Sequence, residues 1–206
     1  MTIARAQDIL LYWFGPRPYT AASIALHSRL WFGASTAPEV LPQADELIRD
    51  RFGATVRAAA NGELRAWDSS PRRRLALILV LDQFSRHCHR GTREAFTQDH
   101  EALSLSISGM LIGADAALDP VERIFFYMPL QHAEALDVQE ESVAAFRRLQ
   151  SEAPVELQST FREALQSAVE HRDTIARFGR FPYRNTVLGR TSTSDELEWL
   201  GSMGDA

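Results

Sequence analysis

The run Leu75-Ala76-Leu77-Ile78-Leu79-Val80-Leu81 constrains this chain more than any other stretch. Seven consecutive apolar residues must be covered on every side, either as a central helix or as a strand inside a sheet. Ser70-Pro71, just before the run, supplies a capping hydroxyl and a proline at the first helical position. A strand would need partners, and no window of the sequence alternates apolar with polar residues. The run is therefore expected to be a central helix.

The rest of the chain reads at helical period. Thr2 is placed to cap a helix carrying Ile3, Ala6, Ile9, Leu10 and Trp13, stopped by Gly15-Pro16. Ile24, Leu26, Leu30 and Trp31 form a second apolar turn ending at Gly33. From Pro38 to about Ala60 the positions Leu47, Ile48, Phe52 and Val56 predict one long helix or two short ones, closed by Asn61-Gly62. Thr92 opens a helix with Ala95, Phe96, Leu103 and Ile107 that runs out at Gly109 or Gly113. Asp119-Pro120-Val121-Glu122 combines a cap, a proline and a first-turn acid, and Pro129 must break or kink the helix it starts. Val138, Val143 and Phe146 lie on a helix ending near Ser151, and another runs from about Pro154 to Phe178 with Gly179 after it. Thr193-Ser194-Asp195-Glu196 is a capping box for a last helix through Trp199. The predicted class is all-α: eight to ten mostly antiparallel helices in one globular domain over residues 1–206.

Composition removes several kinds of chemistry. All 22 basic residues are arginine, which excludes a Schiff-base lysine and a phosphate loop ending in Lys-Ser/Thr. Cys88 stands alone, so neither an internal disulfide nor a multi-cysteine zinc site is available. No apolar run reaches the roughly 18 residues that span a bilayer, and the first residues lack the long apolar stretch of a signal peptide. The expectation is a cytoplasmic protein without membrane contact, metal or cofactor.

The net charge of −5 argues against a general nucleic-acid binder but hides a polarity. Segment 72–93 holds six arginines against Asp82, and segment 172–190 holds five against Asp173. Brought together, they would make an anion-attracting surface on an acidic body. The rival reading is that each arginine pairs with an acid of a neighbouring helix.

Three segments are richer in polar residues than packing requires. The first, residues 81–91, contains Asp82 and Arg86 one helical turn apart, then His87-Cys88-His89 and Arg90. An aspartate directly after an all-apolar run lies near the core and must be paired. The His-Cys-His triplet has no metal-ligand spacing. The second, residues 125–134, contains Tyr127, Pro129, His132 and Glu134; a break at Pro129 lets the imidazole and the carboxylate converge as acid–base equipment. The third, residues 171–185, places His171, Arg177, Arg180, Arg184 and Asn185 among Phe178, Phe181 and Tyr183, with Asp173 one turn before Arg177. Arginine forks on a rigid turn suit a carboxylate or phosphate, and the same text could stack bases or cap helix carbonyls.

These residues resemble a known family. Trp31-Phe32, Leu81-Asp82-Gln83-Phe84 with Arg86 and Arg90-Gly91, Phe96 with Asp99, and Tyr127-Met128-Pro129 with His132 and Glu134 carry the likeness. So does the block from His171 to Arg190, followed by Thr193 and Glu196. The chain is similar over nearly its whole length to the bacterial domain-of-unknown-function family numbered 924. The resemblance implies an all-α, tetratricopeptide-like arrangement and leaves the activity open. Ala133, His87 and Tyr183 depart from the family's usual residues at those places.

The expected function is a pocket for a small anionic molecule, carboxylate or phosphate. Asp82, Arg86, Arg90, Tyr127, Arg177, Arg180, Arg184 and Asn185 would bind it, with His132, Glu134 and His171 moving a proton. The two basic segments are then expected to converge beside His132 and Glu134, with Arg180 as the central anion contact. The alternative is a tetratricopeptide-like scaffold that binds an acidic peptide or protein without catalysis.

Overall fold

The computed structural model describes residues 2–36 and 41–204. The chain forms α1 (Ala6–Phe14), α2 (Ala21–Thr36), α3 (Leu41–Ala60), α4 (Pro71–Leu79), α5 (Ser85–Cys88) and α6 (Asp99–Leu111). These are followed by α7 (Pro120–Gln131), α8 (Leu136–Ser151), α9 (Gln158–Phe178), α10 (Asn185–Leu188) and α11 (Ser194–Gly204). Tight 3-10 turns occupy Arg65–Ser69, Arg93–Phe96, Asp115–Ala117, Val155–Leu157 and Pro182–Arg184. Among the described residues there is no strand, and the fold is all-α.

The apolar run is the centre of the molecule. No residue from 75 to 81 is more than 4% exposed, because α4 packs against α1, α6 and α7 at once. Around it Trp13, Phe14, Phe84 and Phe125 meet edge-on or tilted, with ring centroids 5.4–5.5 Å apart. The Trp31 indole donates to the Trp13 carbonyl at 2.8 Å and ties α2 to α1. Farther along, α7, α8 and α9 pack in sequence.

Two helix starts form as their residues dictate. Asp119 accepts from the Val121 amide at 3.0 Å and Glu122 from the Asp119 amide at 3.2 Å. Thr193 and Glu196 make the equivalent exchange at 3.2 and 2.7 Å. Glu122 is fully buried, where Arg17, Arg72 and the Tyr19 hydroxyl also hold its carboxylate.

Four boundaries differ from expectation. Thr2 does not cap α1; Arg5 does, because Asp8 three residues on binds both its guanidinium and its amide. Gly33 does not end α2, which continues to Thr36; Pro38, the expected start of the next helix, lies outside the described residues. The helix expected from Thr92 is split, a 3-10 turn over Arg93–Phe96 preceding α6 at Asp99, because Phe96 turns onto two guanidinium groups. Pro129 does not break α7 at once: it sits in the last turn, and the helix ends two residues later at Gln131. A proline there removes one ladder bond near an end that frays anyway.

The most consequential local feature lies between α4 and α5. Val80–Phe84 form a π turn, and the Ser85 amide bonds back to the Val80 carbonyl. Such a turn inserts one extra residue into the helix and changes the direction of the side chains it carries. Asp82 and Gln83 are thereby buried in the interior.

Candidate functional site

Asp82 is 1% exposed and cannot be left unpaired. Its Oδ1 accepts from Arg86 Nη1 at 2.9 Å and lies 2.7 Å from His132 Nδ1. The Gln83 side-chain amide donates to the other carboxylate oxygen. Arg86 also folds back onto the Asp82 carbonyl at 2.7 Å, satisfying backbone at the π turn. Burial by itself would raise the Asp82 pKa, but Arg86, His132 and the Gln83 amide outweigh it and hold the carboxyl well below the usual carboxylate range.

His132 caps the C-terminus of α7. Its Nδ1 faces an ionised carboxylate, so Nδ1 carries the hydrogen and Nε2 carries the lone pair. Among the described residues Nε2 has no hydrogen-bond partner, and the His132 side chain is 13% exposed. Burial and the nearby Arg86 charge push the imidazole pKa down. The ring forms part of the wall of a cleft of about 700 Å³.

A second carboxylate borders the same cleft. Asp99, in the first turn of α6, accepts from Arg86 Nη2 at 3.1 Å and from Arg184 Nη1 at 3.3 Å. Burial pushes its pKa up and the Asp82 charge adds to this, against the pull of the Arg86 and Arg184 guanidinium groups. Arg184 is held rigidly, with its guanidinium 4.7 Å from the Phe96 ring centroid and 4.5 Å from that of Phe181. Its Nη1 also donates to the His132 carbonyl at 3.1 Å. Thus Asp82 and Asp99, with pKa values displaced in opposite directions, stand on either side of Arg86 beside a neutral imidazole. Pairs of titratable groups separated in this way are acid–base equipment.

The two basic segments meet here in part. Arg86 and Arg184 share Asp99, and Arg190 holds Glu134 with bonds of 2.6 and 2.9 Å. Glu134 borders the cleft, but it also accepts from the Phe181 amide at 2.8 Å. Arg190 and that amide hold its carboxyl below the usual range despite burial, so it bridges the α7–α8 loop to the turn before α10. His171 donates from Nδ1 to the Ser167 carbonyl at 2.8 Å, and its ring lies edge-on to His132 with centroids 6.3 Å apart. It borders a different cleft of about 440 Å³, together with Phe178, Phe181, Tyr183 and Trp199. Burial lowers the His171 pKa as well.

Other residues singled out in the sequence are placed elsewhere. Arg180 binds Glu196 at 2.6 and 2.8 Å and the Thr191 carbonyl at 2.9 Å, which anchors α11 rather than lining the large cleft. Asn185 joins that anchor through Ser192 and Glu196. Arg177 pairs with Asp195 and stacks on Phe178, while Asp173 pairs with Arg172; the expected Asp173–Arg177 contact is not formed. Arg90 binds Asp45 at 2.6 and 2.8 Å, and His87 meets the same carboxylate at 2.7 Å. Burial raises the Cys88 thiol pKa, so the thiolate is disfavoured. Tyr127 donates to Asp115, and its ring lies edge-on to Phe146. Among the described residues no group of three or more His, Cys, Asp or Glu side chains is placed to hold a metal ion, and no helix is long and apolar enough to cross a membrane.

Sequence reasoning did not select Asp99, Arg93 or His100 as site residues, although all three border the large cleft. An acid in the first turn of a helix reads as a dipole partner. The only signal at Asp99 was its place in the motif with Phe96.

The family model for DUF924, a bacterial protein of unknown function, matches residues 9–204. The chain belongs to that family. A solved protein of unknown function from Agrobacterium tumefaciens is similar to it, with 33% identity and a TM-score of 0.75 over 95% of this chain and 96% of the other. No curated protein matches the chain. Among the DUF924 motif residues quoted above, Asp82, Arg86, Asp99, His132 and Arg184 make the cleft wall and its backing, and Arg180, Asn185, Thr193 and Glu196 tie down α11.

Proposed function

We propose that this DUF924 protein binds a small anionic molecule, a carboxylate or phosphate, in the cleft beside His132 and moves a proton on it. The observation that carries the reading is the 2.7 Å contact between Asp82 and His132, which leaves Nε2 directed away from the carboxylate on the wall of an open cleft. In this reading Nε2 takes a proton from the bound molecule, and the resulting imidazolium is stabilised by ionised Asp82. Arg86 and Arg184 provide the positive field, which is worth more in a partly buried site than in water. Arg90, Tyr127, Arg177, Arg180 and Asn185 support the surrounding framework. The protein works in the cytoplasm, and the serial packing of α7, α8 and α9 supports a tetratricopeptide-like array.

The reading is tested by thermal unfolding at increasing phosphate, sulfate or succinate. The melting temperature should rise with anion concentration by mass action, and rise less at high ionic strength. An unchanged melting temperature with all three would overturn it.

A second reading has its own support. Ile107 and Leu111 are exposed on an apolar groove of about 380 Å³ completed by Met110, Leu130 and Val138, with Glu141 beside them. Such a groove fits a helical scaffold that binds a peptide or protein partner. Under that reading Leu111→Asp abolishes association with the partner and leaves the anion response intact.

A further inference from the structure

The large cleft has a simple charge inventory. Arg86, Arg93, Arg184 and Arg190 stand in or just behind its wall and face Asp82, Asp99 and Glu134, a surplus of one positive charge. Arg86, Arg184 and Arg190 each hold a carboxylate. Arg93, exposed on the 3-10 turn that also carries Phe96, makes no ion pair among the described residues.

The remaining wall is different in kind. Beside Thr97, His100 and His132, most of it is Phe96, Leu103, Pro129, Ala133, Ala135 and Leu188, which are apolar and offer a bound ion no side-chain hydrogen bond. A bare phosphate or sulfate would occupy a small part of about 700 Å³ and leave this surface wet. A volume in this range is that of an organic ligand lying mainly against apolar side chains, oriented by a few polar groups. A dianion would also bring more charge than the surplus compensates.

We propose that the ligand is a monocarboxylate with an apolar body. This rests on the anion-binding reading above and narrows it to one chemical class. Arg93, which makes no ion pair although its charge acts on neighbouring Glu94, holds the carboxylate at the mouth of the cleft. The body lies along Leu103, Pro129 and Leu188. The stacked Arg184 keeps the interior positive without giving up its bond to Asp99.

The test is calorimetric titration of the full chain with acetate, butyrate, hexanoate, hexanol and inorganic phosphate. Each added methylene should tighten carboxylate binding about fourfold until the cleft is filled. Hexanol, which lacks the charge, should bind about tenfold more weakly than hexanoate. Arg93→Gln should weaken hexanoate about tenfold and leave the melting temperature unchanged, since Arg93 supports nothing else. Leu188→Asp is a second variant, expected to weaken hexanoate more than acetate. Phosphate binding with no gain along the carboxylate series would overturn this inference and leave the anion-binding reading standing. Failure of every anion to bind would overturn both. Equal binding of hexanoate and hexanol, or no effect of Arg93→Gln, would remove the carboxylate head from its assigned place.

Discussion

His132 Nδ1 lies 2.7 Å from Asp82 Oδ1, and the two residues are 50 apart in the chain. The contact joins the π turn after α4 to the C-terminus of α7, so one hydrogen bond sets the imidazole tautomer and locks two central helices together. Asp82 also answers the charge of Arg86, whose side chain is 18% exposed. Removing one partner of a buried pair leaves the other uncompensated and costs about 3–5 kcal/mol. Asp82→Asn should therefore lower the unfolding free energy by about that amount, read from urea denaturation. The fold should survive, because Arg86 keeps Asp99. A loss below about 1 kcal/mol would mean that Asp82 is not the buried keystone the geometry implies.

Arg180 and Glu196 give the opposite expectation. Glu196 is 2% exposed, and hydrogen bonds from Arg180 and Thr193 hold its carboxyl at about 2. Arg180→Ala should free α11 and lower the melting temperature, while the response to added anions stays that of the wild type. Loss of the anion response with normal stability would return Arg180 to the ligand site and contradict its placement on Glu196.

Most of what the sequence made visible depends on neighbours within a turn. The capping boxes at Asp119 and Thr193 need only a side chain three residues away, and the run 75–81 declares its burial by composition alone. Asp82–Arg86 follows the same rule, being one turn apart. Apart from the Arg5–Asp8 cap and the Arg172–Asp173 pair, which are local, the failures involve partners distant in the chain. Phe96 leaves its helix to stack on Arg86 and Arg184, which come from residues 10 to 88 positions away in sequence by the numbering of the chain. Arg180 has its acid in α11 and Arg90 has its acid in α3. The π turn is equally silent, since an apolar run looks the same with one residue inserted. Asp99 was legible only as a member of the motif with Phe96, because its role in the cleft needs α4 and the turn before α10 to be in place.

Two glycines separate packing from propensity. A Cβ on Gly109 would lie 2.5 Å from Phe126 Cζ and 3.0 Å from Arg74 Cδ, and Phe126 is fully buried with no room to move. Gly109→Ala should therefore destabilise by about 1–3 kcal/mol despite the better helix propensity of alanine. A Cβ on Gly53, inside α3, meets only the end of the Arg57 side chain at 3.6 Å. Gly53→Ala should stabilise by about 0.5–1 kcal/mol. Equal effects in chemical denaturation would show that the α6–α7 contact is looser than these distances state.

Stability should fall between pH 7 and pH 5, and histidine protonation is the cause. Burial is the first influence on His87, His132 and His171, and it lowers all three pKa values. Nearby arginines add to it: Arg90 at His87, Arg86 at His132, and Arg184 with Arg86 at His171. A histidine with a depressed pKa in the fold takes up its proton more readily when unfolded. Its contribution is intact above the unfolded value of about 6.5 and is lost as pH falls from there through the folded value. Carboxylates with lowered pKa values, among them Asp45, Asp82, Glu134 and Glu196, act in a separate window: their contributions hold above the unfolded value of about 4 and disappear only in stronger acid. Calorimetric scans across pH should thus show a first decline in melting temperature near pH 6 and a second below pH 4. His171→Phe keeps a ring against Phe181 and His132 while removing one titrating group, so its first decline should be shallower than that of the wild type. An identical slope in the variant would take His171 out of the account, and a flat wild-type profile from pH 7 to pH 5 would show that the three imidazoles are no more buried than in the unfolded chain.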